Sequence, residues 1–174
     1  MTSAARRPAP ARSTGVLVVR ALLGWLWLAL WFFALFPAGV LWAEGAGLRP
    51  PGGPAALLGA ALIALALAAL VAPHLRFVRE GRGTQLPFDP PRELVIRGAH
   101  AWVRNPMYLL YVAIVLGEAL LYRSRALLGY ACFFAALAHW YVVRFEERGL
   151  RHRFGAAYDA YCARVPRWLP RRPR

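Results

Sequence analysis

Residues 92–108 read RELVIRGAHAWVRNPMY, a charged, turn-rich stretch that leads straight into an apolar run. A second charged block, FEERGLRHRFGAAYDAYCARVPRWLP at 145–170, closes the last apolar run of the chain. Around these blocks lie four apolar stretches, 15–43, 55–75, 107–122 and 126–145. A helix needs roughly 20 apolar residues to cross a bilayer, because hydrocarbon offers the backbone no hydrogen-bond partners. The pattern therefore predicts an all-α integral membrane protein with about four transmembrane helices. The 76–106 loop and the C-terminal tail should then meet at one membrane face and form the working part of the molecule.

Composition agrees. At 174 residues with 59% hydrophobic content and a mean hydropathy of +0.41, the chain is too apolar for a soluble domain. Its net charge of +14 and pI near 11.4 come from arginines that flank the apolar segments. That placement fits anionic lipid headgroups and the positive-inside bias, and no nucleic acid is expected as a partner. The basic residues are all arginine and alanine is abundant, a composition that suggests a GC-rich bacterial genome and thus the plasma (inner) membrane. Cys132 and Cys162 stand far apart without a CxxC or a histidine pattern, so neither a disulfide framework nor a metal site is expected.

Three regions follow in order. Residues 1–14, MTSAARRPAPARST, are basic and Pro-rich and read as a disordered lead-in. Residues 15–75 read as a two-helix membrane anchor. The first apolar run is too long for a signal-peptide core of about 7–15 residues and is expected to kink at Pro37. Trp25, Trp27, Trp31 and Trp42 suit interface belts, and Ala60, Ala64 and Ala68 suit a close helix contact. Residues 76–174 form the candidate catalytic region. Its opening loop carries Arg76, Arg79, Arg82, Arg92, Arg97 and Arg104, and Pro87, Pro90 and Pro91 forbid a continuous helix. Placing arginines inside puts both termini and this loop in the cytoplasm, and loops 44–54 and 123–125 outside.

Four ionisable groups within or bordering the spans need a reason. Glu118 reads best as snorkelling toward Arg123. His139 serves either a neighbouring helix or a site shared with Glu146, which lies two turns further on. Glu146 and Glu147 stand where the fourth span ends, and a carboxylate at a helix C-terminus gains nothing unless a cation meets it. The plain partners are Arg144, Arg148 and Arg151; the sharper reading is a cationic ligand.

RGAHAWVRNPMY resembles the G-x-Y-x-x-x-R-[HN]-P-x-Y signature of the isoprenylcysteine carboxyl methyltransferase and phospholipid methyltransferase group. FEERGLRHRFGAAYDAYCARVPRWLP is similar to that group's E-E-x-x-L…F-G-x-x-Y-x-x-Y…V-P…P tail. The resemblance covers residues 83–170 and implies a membrane enzyme that uses S-adenosylmethionine without a Rossmann domain. It also implies a lipid or isoprenoid-like acceptor, with a carboxylate as one option for its reacting group, entering sideways from the bilayer. Matched position by position, the implied cofactor contacts are Gln85, Arg92, Glu93, Leu94, Val95, His100, Asn105, Pro106, Met107, Tyr108 and Glu146. Tyr108, Glu146 and Arg144 are the implied catalytic residues. His100 stands where the family has tyrosine, and Asn105 where it usually has histidine. The arginine that binds the acceptor carboxylate in the eukaryotic prenylcysteine enzymes falls on Val142, which leaves Arg144 as its nearest substitute.

Two other readings compete. One is an NADPH-dependent membrane reductase of the sterol-reductase type, which usually has more spans. The other is a non-catalytic membrane assembly protein of the same fold. Oligomeric state and the acceptor atom are not legible from the residues.

Overall fold

A computed structural model describes residues 14–81 and 91–172. The basic 1–13 segment and Gln85 lie outside the described residues. The described residues form helices and the loops between them, with no strand: α1 (Thr14–Leu30), α2 (Phe36–Ala43), α3 (Pro54–Arg79), α4 (Pro106–Tyr122), α5 (Arg125–Tyr141), α6 (Glu147–Phe154) and α7 (Ala156–Arg164). Three helical stretches, Val18–Ala43, Pro54–Arg79 and Arg125–Phe154, are long and apolar enough to cross a membrane. The helix expected as the third span, α4, is apolar but only 17 residues long, about 25 Å against a hydrocarbon core of about 30 Å.

Pro37 interrupts the first span by a specific route. A π turn, Trp31–Leu35, joins α1 to α2, and Phe36 N–H bonds the carbonyl of Trp31, five residues back. The next bond in that register would run from residue 37 to Phe32, but proline has no N–H. The orphaned Phe32 carbonyl instead accepts the Tyr130 hydroxyl of α5 at 3.1 Å. A backbone defect in α1–α2 thus becomes a tie to α5.

The close pair is α3 and α4. Gly59 and Gly117 face each other, and a Cβ on Gly59 would lie 2.5 Å from the Gly117 carbonyl oxygen. Only glycine permits that approach. The packing face of α3 is Ala56, Gly59, Ile63, Ala66, Leu70 and Pro73. The Ala60–Ala64–Ala68 stripe is exposed instead, because the two glycines fix which side of α3 meets α4. Trp25 and Phe33 of the first span pack on the core formed by Ala66, Leu70, Met107 and Ile114. Trp27, Trp31 and Trp42 point outward, so the four tryptophans divide between core and lipid-facing surface.

At the end opposite the tail, polar ties join the short connections. Ser124 caps α5 by accepting Leu127 N–H at 3.0 Å and donates its own hydroxyl to Glu44. Arg123 donates to the Gly52 carbonyl at 3.1 Å. Glu118 does not snorkel to Arg123. Its side chain is buried, and Oε2 has no hydrogen-bond partner among the described residues. Helix α4 turns that position toward the bundle, where Leu41, Ala119 and Leu127 also pack.

The last span runs past its expected end. Between α5 and α6 lies a second π turn, Val142–Glu146, where Glu147 N–H bonds the Val142 carbonyl. Its extra residue rotates everything after it by roughly 100° relative to an unbroken helix. That rotation sets where Glu146 and Glu147 point.

Candidate functional site

The tail after α7 is zipped onto the segment that leads into α4. Arg104 N–H donates to the Pro166 carbonyl at 2.9 Å, and Arg171 N–H to the Trp102 carbonyl at 2.8 Å. The Asn105 amide donates to the Arg167 carbonyl at 3.1 Å. Below the zipper, Tyr158, Tyr161 and Val165 pack with Leu94, Leu150 and Phe154, and the Tyr161 hydroxyl donates to the His100 carbonyl at 2.7 Å.

Glu147 is the lock of this arrangement. Its carboxylate accepts two bonds from Arg167, Nε at 2.7 Å and Nη2 at 2.9 Å, and pairs with Arg104 Nη1 at 3.1 Å. The expected partners Arg144, Arg148 and Arg151 are all exposed. The reason is the rotated register after the π turn, which carries Glu147 inward. A planar guanidinium meeting a carboxylate through two parallel bonds fixes orientation as well as charge.

The neighbouring glutamate is used differently. Tyr108, in the first turn of α4, donates its hydroxyl to Glu146 Oε2 at 2.9 Å. Aromatic rings surround this pair. Trp168 stands edge-on to Tyr108 with centroids 6.4 Å apart, and Tyr111 stands edge-on to it at 6.1 Å. Trp168 Nε1 donates to His139 Nδ1 at 2.9 Å, so His139 serves the tail rather than a neighbouring helix. Deeper in the bundle, the Tyr111 hydroxyl lies 3.3 Å from His74 Nε2, while His74 Nδ1 lies 2.7 Å from the Leu70 carbonyl. That second contact requires a proton on Nδ1 and leaves Nε2 as the acceptor for Tyr111.

His100 sits on the wall facing α3. Its ring packs on Phe77 at 5.4 Å. Burial foremost, and then the positive charge of Arg76, push its pKa down to about 4, so at neutral pH it is an uncharged imidazole. Its buried Nδ1 has no hydrogen-bond partner among the described residues. Gly98 beside it has φ +62°, and a Cβ there would fall 2.5 Å from Arg76 Nε. Glycine at that motif position therefore serves both backbone conformation and room for the arginine.

Of the residues singled out from sequence, the fold brings His100, Asn105, Pro106, Met107, Tyr108 and Glu146 to one end of the bundle. Asn105, Pro106 and Met107 are buried at the start of α4. Leu94 and Val95 are packed inward, Leu94 in the tail cluster, whereas Arg92 and Glu93 are exposed on the same segment. Arg144 is not brought in. It lies two residues before Glu146, on roughly the opposite face of the helix, and is exposed. Val142, at the position that would hold the family's arginine, is completely buried. Trp168, Arg167, Tyr111 and His74 were not legible as site residues. The spacing of Tyr108 and Tyr111, one helical turn apart, is the kind of signal that could have found Tyr111.

The arrangement defines a class: an integral membrane protein whose helices carry a carboxylate, a phenol and an aromatic rim where they meet a polar cap. Residues 54–157, more than half of the chain, match the family model described as phospholipid methyltransferase. The chain belongs to that family, within the isoprenylcysteine carboxyl methyltransferase-like group. No curated protein and no solved structure matches it.

Proposed function

We propose that the chain is an S-adenosylmethionine-dependent methyltransferase acting on a lipid or similarly apolar acceptor at the Tyr108–Glu146 pair. The observation that carries this reading is the 2.9 Å bond between a phenol of α4 and a carboxylate of the last span, within an aromatic rim at the end where the arginine-rich tail folds back. Membership of a methyltransferase family supports the reaction class.

The residues present suit the donor. Glu146 offers a carboxylate for hydroxyl or amino groups; because the helix continues to Phe154, this charge lies away from the helix C-terminus expected from the sequence, and its use rests on the groups that face it. His100 Nδ1 is a buried polar atom in want of a partner, which a bound group would satisfy. When bound, S-adenosylmethionine supplies a methyl group carried on a sulfonium sulfur. Tyr108 holds its proton on Glu146 and fixes that carboxylate's orientation. Trp168 and Tyr111 shield the pair from water, which strengthens every electrostatic contact within the rim. Arg144 turns outward and Val142 is buried, so neither of these two positions holds an acceptor carboxylate beside Glu146. In this reading the arginine-bearing end faces the cytoplasm, as the positive-inside bias favours, and the membrane is a bacterial plasma membrane.

The test uses the purified full chain, methyl-labelled S-adenosylmethionine and a total lipid extract. Label should pass into the organic phase, and S-adenosylhomocysteine should block it. Binding of NADPH in place of S-adenosylmethionine, or no binding of either, overturns the proposal.

A further inference from the structure

A cleft of about 280 Å³ opens between the 96–101 segment, the last turn of α7 and the tail, and it shares no lining residue with the Tyr108–Glu146 pair. Its charged lining is Arg164, Arg171 and Arg172, and Ile96, Ala101 and Val165 supply apolar wall. No carboxylate lines it among the described residues. Arg164 Nε is tied to the Ala160 carbonyl of its own helix at 3.2 Å, and the zipper bond from Arg171 N–H to Trp102 holds the tail backbone at the rim. Three arginines thus line one cleft, and guanidinium forks match phosphate oxygens through paired bonds.

The surroundings decide which phosphate. Ile96, Trp102 and Leu169 are exposed apolar side chains interleaved with these arginines. Aromatic and aliphatic groups mixed with arginine mark a membrane–water boundary, and the cleft lies at an end of the bundle where spanning helices emerge. A phosphate there arrives attached to acyl chains. The tail gives the site a consequence. Arg171 and Arg172 follow Arg167, which locks Glu147, and Trp168, which covers Tyr108.

We propose that this cleft binds the phosphate headgroup of an anionic phospholipid, and that its occupation fastens the tail holding Trp168 against Tyr108. The site is separate from the one where the acceptor reacts.

The experiment places the full chain in nanodiscs of phosphatidylcholine, alone or mixed with phosphatidylglycerol, and reads retained lipid by native mass spectrometry. The parent should retain phosphatidylglycerol in preference to phosphatidylcholine. Arg164→Gln with Arg172→Gln should weaken that retention roughly tenfold or more, and the corresponding lysine pair should restore most of it. Arg125→Gln with Arg148→Gln, at arginines outside the cleft, should leave retention unchanged. Equal retention by the parent and the cleft variant overturns the proposal, and so does displacement of the lipid by inorganic phosphate, which would make the ligand a soluble anion. In phosphatidylcholine alone the cleft variant should bind S-adenosylmethionine as the parent does; loss there would assign the cleft to the cofactor and overturn the proposal. A parent that binds no S-adenosylmethionine in either lipid refutes the methyltransferase reading, while lipid retention still decides the cleft.

Discussion

Replacing Glu147 by glutamine removes a negative charge that Arg167 and Arg104 share. The glutamine keeps the shape and one acceptor oxygen but leaves two guanidinium groups without a counter-charge at 2.7–3.1 Å. Removing one partner of a fully buried ion pair costs about 3–5 kcal/mol. Here the carboxylate is 3% exposed, Arg104 11% and Arg167 31%. Water therefore rehydrates part of Arg167, which lowers the expected loss to about 2–4 kcal/mol. For a chain of this size each kcal/mol moves the melting temperature by about 2–4 °C, so the variant should melt roughly 4–16 °C lower. The assay is thermal unfolding in detergent, followed by intrinsic tryptophan fluorescence. Limited trypsin digestion beside it should show the 164–172 tail cut sooner than in the parent. Glu146→Gln, which keeps an acceptor for the Tyr108 hydroxyl, should lose only about 1 kcal/mol. An unchanged melting temperature for Glu147→Gln, or a larger drop for Glu146→Gln, would refute the division of labour between the two glutamates.

His100 makes stability pH-dependent. Its pKa falls from 6.5 to about 4 on folding, through burial first and Arg76 second, so the unfolded chain binds the extra proton between those values. The stability it contributes is complete above pH 6.5 and lost as pH falls toward 4, about 3 kcal/mol in all; thermal melts of the parent should show this acid limb, and His100→Gln should flatten it. Gly59→Val forces a side chain against the Gly117 carbonyl and Leu121 and should cost about 1–3 kcal/mol by separating α3 from α4, read by the same melts. Single cysteines at Gly47 and Gly149, where a side chain meets open space or ordinary contact, should label from opposite sides of sealed vesicles once Cys132 and Cys162 are replaced; labelling from the same side would break the topology.

The membrane fold was legible because hydrocarbon allows few structures and long apolar runs declare themselves. Boundaries moved where a π turn replaced a simple end. A regular 3.6-residue pattern cannot show the extra residue in 142–146, and that residue decides that Glu147 faces Arg104 and Arg167 rather than Arg148 and Arg151. The same blindness kept Arg144 among the site candidates, although the helix turns it outward. The α3 packing face was misread because several small-residue stripes coexist on that helix, and only the glycine on the partner, Gly117, selects among them. Tyr108 and Glu146 were legible through motif likeness. Trp168 and Arg167 reach the site through a tail whose path depends on backbone bonds to Trp102, Arg104 and Asn105, and no local pattern encodes such bonds.

The most direct test of the central claim is the affinity of the full chain for S-adenosylmethionine before and after Glu146→Gln, with Glu147→Gln measured at a temperature where it remains folded. If Glu146 binds the donor through a charge-assisted hydrogen bond, its loss removes about 1.5–3 kcal/mol, or roughly 10- to 150-fold in affinity. Glu147→Gln, once folded, should then bind close to the parent. Parent-like affinity for Glu146→Gln would contradict the account, because it would leave the Tyr108–Glu146 pair as a structural bond with no part in holding the methyl donor.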